Sequence, residues 1–192
     1  DISLIAAAII RDFPEMYGYY SIEEFTWNNI TQRNRNPLLG RDETIDGIKT
    51  GHTEAAGYCL VGSARQDDFR IIATVFGAES PSARAESVYA LLKYGFAAYE
   101  MHRVYRAGSA VVNSVPVYKG NQSNVSVGVD NDIQLILPKG SGSGLEATIS
   151  LNEPIIAPFE EQKQVGDLTL SLEGAKINTY PIVTLNAVAE GS

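Results

Sequence analysis

Lys49-Thr50-Gly51, within Asp46-Gly47-Ile48-Lys49-Thr50-Gly51-His52-Thr53, is the stretch whose residue types and spacing could do chemistry together. On a strand, this segment lets an extended peptide lie along a sheet edge and pair through its main chain. Gly51 has no side chain, so a substrate can approach closely. Thr50 offers a hydroxyl and Lys49 a positive charge, both suited to a carboxylate. The N–H of His52 can point at a developing oxyanion, a contact whose loss typically costs about 3 kcal/mol of transition-state stabilisation. These groups could bind an extended peptide, a carboxylate and a developing oxyanion.

Such residues need a sheet to hold them. Ile45 to Thr50, Tyr58 to Ala64 and Ile71 to Phe76 read as three strands, with Gln66-Asp67-Asp68 as the polar turn between the last two and Gly62 as a weak point in the middle one. Upstream, Asp1 to Ile10 reads as the body of a helix ending near Pro14, which disfavours a helical Phe13. Glu24 to Trp27 reads as a short strand turning at Asn28-Asn29, and Asn34 to Pro37 as loop. Downstream, Ser80 and Pro81 predict an N-cap and first turn of a helix running to about Tyr99. Val88, Leu91, Leu92, Gly95, Phe96 and Tyr99 form its apolar stripe. Arg84 falls on that stripe, a cation facing the core near the positive end of a helix, and a bound anion would offset the cost.

From about Met101 the period becomes two. Val125, Val127 and Val129, then Ile133, Leu135 and Leu137, then Leu145, Ala147, Ile149 and Leu151, then Leu168, Leu170 and Leu172 alternate with polar residues, as in a small all-β sandwich or barrel. Gly140 to Gly144 reads as a hairpin loop between two of these strands. The 192 residues fit one or two domains, and the division expected is 1–100 and 101–192. The net charge of -8 argues against nucleic acid as a partner. Two distant histidines make a zinc site unexpected, and no metal or organic cofactor is indicated. The single cysteine, Cys59, excludes an internal disulfide and reads as a buried thiol.

Asp46 to Thr53, followed by Ala56-Gly57-Tyr58, resembles the low-molecular-mass penicillin-binding proteins, the serine-type D-alanyl-D-alanine carboxypeptidases. The resemblance extends through Glu24-Phe25-Thr26, Ile30-Thr31-Gln32, Asn34-Arg35-Asn36, Gly77-Ala78-Glu79-Ser80, Leu137-Pro138-Lys139 and Pro181 to Leu185. It implies an α+β fold: part of a penicillin-binding/β-lactamase-like transpeptidase domain, an antiparallel sheet with helices, followed by a small all-β sandwich domain. It also implies an acyl-enzyme route that removes the terminal D-Ala from peptidoglycan stem peptides and is trapped by β-lactams. By the same resemblance, Lys49 and His52 are catalytic, through electrostatics and a backbone oxyanion donor. Thr50, Gly51, Thr53, Arg84 and Arg35 are substrate-binding, with Thr50 and Arg84 on the terminal carboxylate. The bland readings are a solvated Lys49, an Arg84 paired with Glu79 or Glu54, a structural Arg35, a surface or junction His102, and packing tyrosines at Tyr17-Gly18-Tyr19-Tyr20.

The family's Ser-x-x-Lys is not found in these residues, and in family order both it and the family's Ser-x-Asn segment would precede them. The expectation is therefore the C-terminal portion of the enzyme, inactive alone, with a companion N-terminal portion bringing the nucleophile. An opening without Met or basic n-region fits a fragment or processed piece rather than a signal peptide. In the family an amphipathic anchor helix follows the β domain, so a truncated form of a periplasmic protein on the outer face of the bacterial inner membrane is expected. The rival readings are a β-lactamase, against which the second domain argues, and a non-catalytic binding or stalk module.

Overall fold

The hairpin expected at Asn28-Asn29 forms because both residues take positive φ, 49° and 62°, a left-handed pair that asparagine tolerates and that matches the twist of a two-residue turn. The computed structural model describes residues 1–191. It divides into two compact units, Asp1–Tyr99 and Glu100–Ser192.

In the first unit, α1 (Ile2–Asp12) and the single turn α2 (Pro14–Tyr17) lead through a 3-10 turn (Gly18–Ser21) to the hairpin of β1 (Glu24–Trp27) and β2 (Ile30–Arg33). β3 (Ile45–Thr53), β4 (Gly57–Gln66) and β5 (Phe69–Ala78) follow as an antiparallel meander in the order β3-β4-β5, and α3 (Pro81–Ala98) closes the unit. The sheet is covered on both faces. Leu38, Ile45, Leu60, Ala64 and Ala73 pack with Ala85, Val88 and Leu92 of α3, while Ile48 and Val61 pack with Ala6 of α1 and Tyr17. That is why Leu60 to Ala64 is buried without a break instead of alternating.

Three expectations for this unit are corrected. Gly62 is no weak point: a Cβ there would lie 2.4 Å from Val88 Cγ1, so the glycine is where α3 comes closest to the sheet. The buried stripe of α3 is Arg84, Ala85, Val88, Leu92 and Gly95; Leu91 is 46% exposed on its flank, and Tyr99 is the C-cap beyond the last turn. Cys59 is half-buried, its Sγ donating to Ala56 O at 3.5 Å. The N-cap stands as read, with Ser80 Oγ accepting from Ala83 N at 3.0 Å.

The second unit is built of strands. β6 (Tyr99–Tyr105) pairs with β9 (Ile133–Pro138). β7 (Ala110–Tyr118), β8 (Asn124–Gly128), β10 (Leu145–Leu151), β11 (Ile155–Ile156), β12 (Gln164–Leu172) and β13 (Ala175–Thr184) form a six-stranded sheet in the order β10-β12-β13-β8-β7-β11. Only the β11–β7 pairing is parallel. Val115, Val125, Val127, Leu168, Leu170 and Ile182 of this sheet bury against Ile133, Leu135 and Leu137 of β9. The α+β architecture with an all-β second part is the one expected. The Gly140–Gly144 stretch differs: it crosses between the two sheets through a 3-10 turn (Ser141–Gly144) rather than closing a hairpin. The alternation of β10 also misleads, because the strand lies at the sheet edge. Only Leu145 and Leu151 at its ends reach the core, while Ala147 and Ile149 are exposed. His102 is not a bare surface residue; its ring lies against Gly142 and its Nε2 is 3.1 Å from Glu100 Oε1.

Candidate active site

β3 is an edge strand, hydrogen-bonded to β4 on one side only, and Lys49-Thr50-Gly51-His52 occupies its outer end opposite Val61, Leu60, Cys59 and Tyr58. Two hollows run along it. One, of about 280 Å³, is lined by Arg35, Thr50, Gly51, His52, Tyr58 and Arg84. The other, of about 300 Å³, is lined by Tyr19, Tyr20, Asn34, Arg35, Ile48, Lys49 and Thr50. Arg35 and Thr50 belong to both, so the two make one cleft.

Thr50 is buried at its centre, while Lys49, Gly51 and His52 are exposed. Lys49 Nζ donates to Thr50 O at 2.7 Å. The His52 ring stacks on Tyr58 at 4.0 Å between centroids. Arg84 is 7% exposed; its Nη1 donates to Gly51 O at 3.0 Å and to Cys59 O at 3.4 Å, and its guanidinium lies 5.5 Å from the Tyr58 ring. Its Nε is buried without a partner. These bonds go to backbone rather than to Glu79 or Glu54, so the carboxylate-pair reading of Arg84 gives way to one in which α3 holds a cation against β3. Arg35 is exposed on the loop after β2 and faces the same hollow.

The cleft therefore gathers Lys49, Arg35 and Arg84 around one hydroxyl in a chain of net charge -8. Confining positive charge to one concave wall selects an anion there even though the whole molecule repels anions. Gly51 adds a second feature. A Cβ at Gly51 would meet nothing nearer than Cys59 Cβ at 3.9 Å, so packing does not demand glycine at this point of the strand.

Of the residues expected at the site, Thr53 is not among those lining either hollow. Its Oγ1 accepts from Ala56 N at 3.0 Å and closes the β3–β4 turn. The sequence reading missed Tyr19, Tyr20, Asn34 and Tyr58. The tyrosine run splits: Tyr17 is buried in the core, and Tyr19, 67% exposed, walls the cleft. Only Tyr58 carried a signal, through its place opposite His52 in the next strand. Among the described residues no group of His, Cys, Asp and Glu could hold a metal ion.

Residues 1–80 match the family model described as D-alanyl-D-alanine carboxypeptidase, and residues 99–190 match the one for the C-terminal domain of penicillin-binding protein 5. The chain is 39% identical over 194 residues to D-alanyl-D-alanine carboxypeptidase DacA of Escherichia coli (strain K12), covering 100% of this chain and 48% of that protein. It is 34% identical to DacD of the same strain, covering 100% of this chain and 50% of that protein. The chain thus spans about half the length of the curated relatives it matches. The crystal structure of penicillin binding protein 5 from Haemophilus influenzae superposes with a TM-score of 0.85 at 36% identity, over 97% of this chain and 55% of that one.

Proposed function

The chain belongs to the D-alanyl-D-alanine carboxypeptidases of the low-molecular-mass penicillin-binding family, and on that premise we propose that it forms the substrate-side wall of a serine acyl-transfer site. The whole protein removes the terminal D-Ala from a peptidoglycan stem peptide. A serine outside these residues attacks the carbonyl carbon of the penultimate D-Ala. The amide C–N bond breaks, the leaving amine takes a proton and departs as D-Ala, and water then hydrolyses the acyl-serine ester. A β-lactam enters by the same attack and stays as the acyl group. The site works in the bacterial periplasm.

The observation that carries this reading is the exposed edge of β3, open to an extended peptide, with Thr50, Arg84 and Arg35 around one hollow at its end. Main-chain pairing along β3 sets the peptide's register, and the hydroxyl and two guanidiniums take its terminal carboxylate. The His52 N–H takes the oxyanion. Lys49 keeps the potential positive where the tetrahedral intermediate is negative.

The test is labelling of the full-length protein with a fluorescent penicillin, together with release of D-Ala from a peptide ending in D-Ala-D-Ala. Stable labelling with measurable D-Ala release is expected. Rapid loss of label as hydrolysed penicillin would make the protein a β-lactamase, and neither label nor release would leave a non-catalytic binding module.

A further inference from the structure

Resting on that reading, we infer that Tyr17, Asp46 and Arg70 are positioning residues that set the width of the cleft, fastening its tyrosine wall to β3 just before Lys49. None of the three lines the cleft. The Asp46 carboxylate accepts from the Tyr17 hydroxyl at 2.7 Å and from Arg70 Nη1 at 2.8 Å, and its second oxygen lies 2.7 Å from the same Nη1. Arg70 Nη1 also donates at 2.6 Å to Ser63 Oγ, on a side chain with no exposure at all. The cluster joins α2, β3, β4 and β5.

Tyr17 is the last residue of α2, and the next turn carries Tyr19 and Tyr20, the far wall of the cleft. The wall meets β3 at Gly47, where a Cβ would lie 2.8 Å from Tyr17 Oη and 3.4 Å from Tyr20 Cβ. The Arg35 loop is tied to the same point. Buried Asn36 donates through Nδ2 to Gly47 O at 3.0 Å, and its own N–H goes to Asn34 Oδ1 at 2.9 Å, so Arg35 sits between two anchored asparagines. Both walls thus converge on Asp46-Gly47, one residue short of Ile48 and two short of Lys49.

The chemistry of the cluster favours placement over stability. Taking a carboxylate and a guanidinium out of water costs nearly as much as their attraction returns, so an apolar trio of the same volume would hold the fold as well. It would not fix a direction, as charge-assisted hydrogen bonds from one hydroxyl and one guanidinium nitrogen to a single carboxylate do. Burial pushes the Tyr17 hydroxyl above its ordinary pKa, so it stays a donor throughout the working range.

The experiment uses the full-length protein with Tyr17→Phe, which removes one hydroxyl and keeps the ring. It measures KM and kcat for D-Ala release, with the melting temperature alongside. Asp46→Asn is the second variant, and Val127→Ala, in the core of the other unit, serves as a variant destabilised without touching the cleft. Tyr17→Phe is expected to raise KM roughly tenfold with kcat within about twofold, the pattern left when binding is lost equally from ground and transition states. Asp46→Asn shifts KM further in the same direction, and Val127→Ala lowers the melting temperature at unchanged KM. Wild-type KM in Tyr17→Phe overturns the inference, as does an equal rise in Val127→Ala, which would make KM a follower of stability. Wild-type protein that releases no D-Ala sinks the enzymatic reading itself, and the role given to the cluster falls with it.

Discussion

Gly51 and Arg84 meet through one hydrogen bond, and each is costly without a ligand. Glycine weakens a strand, and a buried cation near the start of a helix opposes the helix dipole. Gly51 is not among the glycines with positive φ, and an added Cβ there meets only Cys59 at 3.9 Å, so alanine fits the fold. Gly51→Ala is therefore expected to melt within about 0.5 kcal/mol of wild type, or slightly higher, as glycine replacements at compatible sites do. It should nevertheless lower the rate of penicillin acylation at least tenfold, because in the proposed binding mode the methyl group would stand where the substrate backbone runs. Thermal melting and acylation kinetics on the full-length protein check this. A variant with normal acylation would show that the glycine serves no substrate. The neighbours of Gly51 were legible because short motifs are local. Tyr17, Asp46 and Arg70 were not: the two bonds to Asp46 span 29 and 24 residues, and no local pattern marks their meeting.

At the scale of elements, periodicity showed where strands and helices lie but not how closely they pack. Gly62 is the clearest case. In the sequence it interrupts a strand; in the structure it admits α3, with its missing Cβ 2.4 Å from Val88 Cγ1 and Val88 wholly buried. Gly62→Ala should destabilise the protein by about 1–3 kcal/mol through overpacking, and Val88→Ala in the same chain should recover part of that loss. Denaturant melts of the two single variants and the double variant supply the coupling; additive losses would mean that α3 yields elsewhere. The hairpin at Asn28-Asn29 and the cap at Ser80 were legible because each depends on a few adjacent residues. Leu91 and the middle of β10 were misread for the opposite reason. Whether an apolar residue is buried depends on what covers it, and neither the flank of α3 nor the edge position of β10 is written in its own segment.

At the scale of the whole molecule, the two units have separate cores but share a dependence on carboxylate charge. In Asp1–Tyr99, Asp42 accepts from the Thr44 hydroxyl and N–H at 2.7 Å and 3.0 Å, and these bonds hold its carboxyl below the usual carboxylate range. Glu86 is held down by Arg41, whose guanidinium it meets at 2.6 Å and 3.0 Å. In Glu100–Ser192, the Gly140 N–H, 2.9 Å from Glu100 Oε1, and then His102 lower the Glu100 pKa. Each of these acids binds its proton less readily folded than unfolded. The stability it contributes is therefore complete above its unfolded pKa, near 4, and is lost as pH falls through the lower folded value. Melting temperature should accordingly stay level from about pH 7 to 5 on this account and decline below about pH 4. Asp42→Asn should flatten part of that decline, because an amide accepts from Thr44 at every pH but has no proton to gain. Calorimetric scans at stepped pH read this directly, and an unchanged acid slope in Asp42→Asn would place the linkage on other groups.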